Sequence, residues 1–221
     1  PHQPLLPHEN LKAVMDAIEA GASGIHFNAT GPQGERAGGI DAYKALLEPC
    51  REKYGYRFVA DCNVLFGETI EEQLAPLIAG LAETVCSAMF QPRKFLEAEA
   101  RLMLENNCKF EMVIHCSAEV ELAHRILIKP GLVKKPYAWQ ILIGVPSRAG
   151  RLHEYMPNPR AMCESLMMIV NRIKEIDEDA FIIVCQAGRA TKYLSTLAML
   201  LGLHVRVGTE DTMWRYPHKE E

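Results

Sequence analysis

No two cysteines in the chain form a Cys-x-x-Cys pair, and the seven present, at 50, 62, 86, 108, 116, 163 and 185, are odd in number. That spacing argues against a disulfide framework and against a zinc knuckle. Four of them, Cys62, Cys86, Cys116 and Cys185, fall in apolar strand-like runs, where a thiol serves as a small hydrophobe. Free thiols of this kind fit a reducing cytoplasm. No Gly-x-Gly-x-x-Gly follows any strand-like run, which weakens a dinucleotide-binding reading. No apolar stretch is long enough to cross a bilayer: the run at 137–146 is short and contains Gln140. A secretory leader, internal repeats, low-complexity tracts and an interdomain linker are not visible either. Positive charge is not in excess, and a formal net charge of −4 gives no electrostatic grip on nucleic acid or acidic membranes.

What remains is an ordinary globular composition arranged as alternating helices and strands. The stretch ENLKAVMDAIEA, 9–20, places Leu11, Val14, Met15 and Ile18 on one helical face and stops at Gly21. Further helices are expected at 40–54, 68–81, 92–107, 117–128, 158–175 and 191–201. Between them lie seven short apolar runs: SGIHFNA, YRFVADCN, ETVCSAMF, KFEMVIHC, YAWQILIGV, AFIIVCQAG and HVRVG. Runs apolar on both faces predict parallel strands covered by helices on both sides. The expected fold is therefore α/β, a (β/α)8 TIM-type barrel forming a single domain over residues 1–221. Seven strands opening on a helix and closing on RYPHKEE suggest a barrel lacking its first strand and last helix. The chain begins at Pro1 without a Met, so its N-terminus is expected to lie upstream.

In such a barrel the chemistry gathers at the C-terminal ends of the strands. The polar residues expected there are His26 and Asn28, Asp61 and Asn63, Glu111 and His115, Gln186 and Arg189, and Arg206 with Glu210 and Asp211. GIHFNAT offers a histidine, a spacer and an asparagine, where His-x-His would put two metal ligands on one face of a strand. Taken alone, His26 reads better as a hydrogen-bonded core histidine, and Thr209-Glu210-Asp211 as a plain helix start. Arg206 is harder to set aside, because an arginine inside an apolar strand demands a partner. QAGRAT, a strand–turn–helix junction, could hold a phosphate or carboxylate through backbone amides and Arg189.

Four stretches in order, EAGASGIHFNATGPQGER, EEQLAPL, ILIGVPS and QAGRATKYLSTLAMLLGLHVRVGTEDT, resemble the β-keto acid cleavage enzymes, the family typified by 3-keto-5-aminohexanoate cleavage enzyme. GLHVRVGTED is the most specific part, and the resemblance runs from about Leu5 to about Tyr216. It implies a zinc-dependent (β/α)8 barrel, usually oligomeric, that exchanges acyl groups between a β-keto acid and acetyl-CoA. The products would be acetoacetate and a new CoA thioester. Carried over by motif, His26, Asn28 and Glu210 stand at the metal-ligand positions, Asp211 is the general base and Arg206 its partner. Asp61, Asn63, Glu111 and Arg189 are expected to meet the substrate. The departures are specific: Asn28 replaces the second histidine, DCNVLFG replaces a Ser-Thr-Gly-Gly-like turn, Val113 replaces a second acid, and Ser147-Arg148 replaces a glycine pair.

The sequence thus predicts a cytoplasmic, metal-dependent enzyme acting on small molecules, with no nucleic-acid or membrane partner. Two alternatives stay open. One is a non-catalytic barrel acting as a binding or scaffold protein, motivated by Asn28 and Val113. The other is a different metal-dependent lyase or aldolase in which Asp61 is a ligand.

Overall fold

The helix–strand alternation read from the sequence is present in the computed structural model, which describes residues 6–35, 37, 39–63, 69–143, 158–186 and 191–211. These residues fall into two units: the described residues up to Ser87 with Pro92–Phe110, and Ala88–Gln91 with the described residues from Glu111 onward.

The first unit contains α1 (Pro7–Glu19), β1 (Gly24–Phe27), α2 (Ile40–Tyr54), β2 (Val59–Asn63), α3 (Ile70–Gln73), α4 (Ala75–Ile78), most of β3 (Thr84–Ala88) and α5 (Arg93–Glu105). Helix α1 starts on Pro7, where a missing N–H costs nothing, and buries Val14 and Ile18. Helix α2 stops at Gly55, whose φ of +59° suits a residue without a Cβ; its N–H donates to Arg51 O at 2.8 Å. Strands β1, β2 and β3 run parallel in that order, with His26 opposite Asp61, and Asn63 opposite Cys86. Ile25 and Phe27 point to the other face from His26, and Phe27 stacks obliquely on Tyr43 at 5.7 Å.

The second unit contains most of β4 (Lys109–Ile114), then α6 (Ser117–Ala123), β5 (Ala138–Ile143), α7 (Pro159–Ile176), β6 (Phe181–Gln186), α8 (Thr191–Leu200) and β7 (His204–Arg206). Its strands β4, β5, β6 and β7 are again parallel and in chain order. Strand β5 is almost wholly buried, with Trp139 and Ile141 fully enclosed. Helix α7 buries Met162, Leu166, Ile169, Val170 and Ile173, the spacing of one helical face. Parallel strands set side by side in chain order and alternating with helices are the (β/α)8 TIM-type pattern, here with seven strands among the described residues.

Two helices differ from expectation. The helix expected at 68–81 is two short helices that meet at Leu74. Pro76 cannot donate to the ladder and its ring crowds the carbonyl four residues back; here the chain ends one helix at Gln73 and starts another at Ala75, with Pro76 in its first turn. The helix expected at 117–128 is α-helical only to Ala123. It then widens to a π turn over His124–Ile128, with Lys129 N–H donating to His124 O at 2.9 Å.

Candidate functional site

Strand register places three side chains of the first unit together. Directly opposed residues of parallel strands share a face, so His26 and Asp61 lie side by side, and Cys86 follows on the same face of β3. His26 Nδ1 lies 2.6 Å from Asp61 Oδ2, and Cys86 Sγ lies 3.7 Å from the same nitrogen. The His26 and Asp61 side chains are 7% and 10% exposed. At that burial a polar pair survives only if its hydrogen bonds are made. Asn28 follows immediately beyond β1. Cys62, one residue after Asp61, points to the opposite face and is a core thiol, pushed well above the ordinary cysteine range by burial and by the Asp61 charge.

These donors can be tested against a bound ion. A ring nitrogen of His26, a carboxylate oxygen of Asp61 and Cys86 Sγ all lie within 4.8 Å of one another. Ligands about 2.0–2.3 Å from a tetrahedral ion sit roughly 3–4 Å apart. The Cys86–His26 spacing of 3.7 Å already matches. The 2.6 Å His26–Asp61 spacing is a hydrogen bond and would open by about 1 Å as an ion replaced the shared proton. An imidazole, a carboxylate and a thiol together suit a borderline divalent ion such as zinc.

The second unit carries the other group. Arg206, the last residue of β7, grips Asp211 through two nitrogens, Nε to Oδ2 at 3.2 Å and Nη2 to Oδ1 at 2.9 Å. Nη2 also donates to Glu210 Oε2 at 3.0 Å, and Nη1 lies 3.4 Å from Gln140 Oε1. A tight turn makes this possible: Asp211 N–H donates to Gly208 O at 3.2 Å and folds the acidic pair back over the arginine. The Asp211 side chain is 7% exposed, whereas that of Glu210 is 36% exposed. The Thr209-Glu210-Asp211 triplet is therefore part of an ion-pair network and not merely a helix start. Cys185, paired in register with Arg206, is a buried thiol raised well above its ordinary range by burial, with the Arg206 charge opposing.

Glu111 is buried on the face of β4 that also carries Val113. His115, two residues further on, hydrogen-bonds Glu119 Oε2 through Nδ1 at 3.0 Å, and its ring meets Phe90 at 5.4 Å. Asn63 closes β2, and its side chain lies outside the described residues, as do Arg189 and Ser147-Arg148. Sequence reasoning missed two participants. By type and local sequence Cys86 reads as a small hydrophobe, although its place two residues past the residue opposite Asp61 is set by register. Gln140 was noticed only as a polar interruption, yet a buried glutamine in a central strand needs a partner.

Residues 1–221 match the family described as beta-keto acid cleavage enzyme. Two relatives, each named 3-keto-5-aminohexanoate cleavage enzyme, come from Fusobacterium nucleatum subsp. nucleatum and Acetoanaerobium sticklandii. Each is 23% identical over 227 residues, covering 96% of this chain and 78% of the relative. Among solved structures, a binary complex of ObcA with oxaloacetate aligns with a TM-score of 0.76 at 16% identity, over 96% of this chain. A ternary complex of ObcA with a C4-CoA adduct and oxalate aligns with the same TM-score at 17% identity. The chain spans 58% of the length of those two ObcA chains.

Proposed function

The chain belongs to the β-keto acid cleavage enzyme family, and from that premise we propose that it exchanges acyl groups between a β-keto acid and acetyl-CoA. The bond between the keto carbon and the neighbouring CH2 breaks. The released acyl group passes to the CoA sulfur, and the acetyl group of acetyl-CoA joins the freed CH2–carboxylate. The products are acetoacetate and a new CoA thioester, and no oxidant is needed.

The observation that carries this reading is the Arg206–Asp211 fork, with Glu210 beside it. Asp211 acts as general base. Its target is a proton on the carbon between the keto and carboxylate groups, the most acidic C–H of such a substrate. Two parallel bonds from Arg206 fix the direction in which the carboxylate points. Arg189 binds a carboxylate, and Glu111, Asn63 and Asp61 line the substrate. A divalent ion, zinc in this reading, would be held by His26 with Asn28 and Glu210, and when bound supplies Lewis-acid polarisation of the keto carbonyl. The protein works in the cytoplasm as a homo-oligomer.

The test is release of acetoacetate from a panel of β-keto acids, with zinc and acetyl-CoA present, followed by mass spectrometry of the new thioester. Asp211→Asn is expected to lower kcat by about 10²–10⁴-fold, the usual worth of a positioned base. No turnover across the panel, or full turnover by Asp211→Asn, counts against the assignment.

A further inference from the structure

We propose that Cys86 and Asp61 are themselves metal ligands, so that His26, Asp61 and Cys86 from three adjacent strands form the ion-binding centre of the first unit. This rests on the metal dependence proposed above and revises its ligand set: the Asp61 carboxylate and the Cys86 thiolate take the places given there to Asn28 and Glu210, and Asp61 moves from the substrate lining to the ion.

Three lines of reasoning converge. The first is position: the three donors lie on one face of β1, β2 and β3, and their ligating atoms lie within 4.8 Å of one another. The second is charge. A thiolate, a carboxylate and a neutral imidazole bring two negative charges to a 2+ ion, so the loaded centre is neutral. A neutral centre is cheap to bury between side chains only 7% and 10% exposed, whereas an amide in place of the thiolate leaves net positive charge there. The third is ligand chemistry. An amide oxygen favours hard ions, while thiolate and imidazole select zinc and its first-row neighbours over magnesium or calcium. Three protein ligands also leave a fourth tetrahedral position open, the pattern of zinc centres that meet a substrate.

The same contacts allow a competing arrangement, in which Asp61 only orients His26 through Nδ1 and the other ring nitrogen carries the ion. The two differ in the role of Cys86, and cobalt(II) separates them because a thiolate bound to cobalt gives a charge-transfer band in the near ultraviolet. The protein is loaded with cobalt(II), and absorption and bound cobalt are measured together. The band is expected in the parent and in Cys108→Ser, a control that removes a free thiol outside the proposed centre. In Cys86→Ser the band is expected to vanish and cobalt affinity to fall by at least ~100-fold, beyond the usual cost of losing a mere supporting group. Cys86→Ala and thermal melts of the apoproteins guard against a folding artefact: both variants should melt close to the parent while lacking the band. Cobalt bound with visible bands but no thiolate band in the parent overturns this inference and leaves metal dependence standing. A parent that binds no cobalt or zinc overturns both.

Discussion

At position 206 only a guanidinium can reach two oxygens of Asp211 and one of Glu210 at the same time. Lysine keeps the charge but offers a single compact head on a flexible stem. Arg206→Lys is therefore expected to lose the parallel pair to Asp211 and leave that buried carboxylate loosely aimed. We expect kcat to drop at least ~10-fold with a smaller change in KM, since orientation is lost while substrate contacts elsewhere persist. Steady-state kinetics on acetyl-CoA and a turned-over β-keto acid would check it. An unchanged kcat would show that the fork is purely structural. Cysteine 86 marks the limit of what a residue's type reveals. A cysteine in an apolar run is most often packing, and nothing in VCSA distinguishes it. Its meaning depends on the register of β3 against β2, a property of two strands and not of one.

Elements were far more legible than sites. Strand-like runs appear because parallel strands buried on both faces need apolar residues throughout, and YAWQILIGV reads that way along its length. Helix α7 announces itself through apolar residues at 162, 166, 169, 170 and 173. Over 68–81 the apolar period continues across Pro76, while the hydrogen-bond ladder breaks there and restarts at Ala75. The π turn after α6 was invisible, since a widened turn uses the same residues as a regular one. In the candidate site, the Arg206–Glu210–Asp211 group was readable because its members lie within six positions of one another. The His26–Asp61–Cys86 group spans three strands, and local spacing does not encode it. Leu166 gives a direct test at the element scale: it is fully buried at the centre of the α7 stripe. Leu166→Ala removes its apolar contacts and leaves a cavity, at an expected cost of about 2–5 kcal/mol. Urea unfolding followed by circular dichroism would measure it. A loss below about 1 kcal/mol would mean that α7 is not held by this stripe.

Whole-molecule stability carries a further consequence of burial, seen in its dependence on pH. Glu99 on α5 is fully enclosed, and neither carboxyl oxygen makes a well-formed hydrogen bond among the described residues, although the Ser87 hydroxyl tempers its environment. Burial pushes this carboxyl from an ordinary 4.5 up to about 7. Below pH ~4.5 the side chain is neutral in both the folded and unfolded chains, and its contribution to stability is fully present. Between there and about 7 the unfolded chain releases the proton while the folded chain keeps it. Folding then takes up a proton, so each rise in pH favours the unfolded state, and the contribution is lost once pH passes the folded value. The accumulated loss is on the order of 3 kcal/mol at one pKa unit per ~1.4 kcal/mol. Glutamine has nearly the same shape and does not ionise. Glu99→Gln is therefore expected to unfold at higher urea than the parent at pH 8, with the gap narrowing as the pH is lowered to 5. Every other titrating group is common to the two proteins and cancels in the difference. The measurement is the urea midpoint of both across that range, and a gap that stays constant with pH would mean that Glu99 is ionised in the folded protein already.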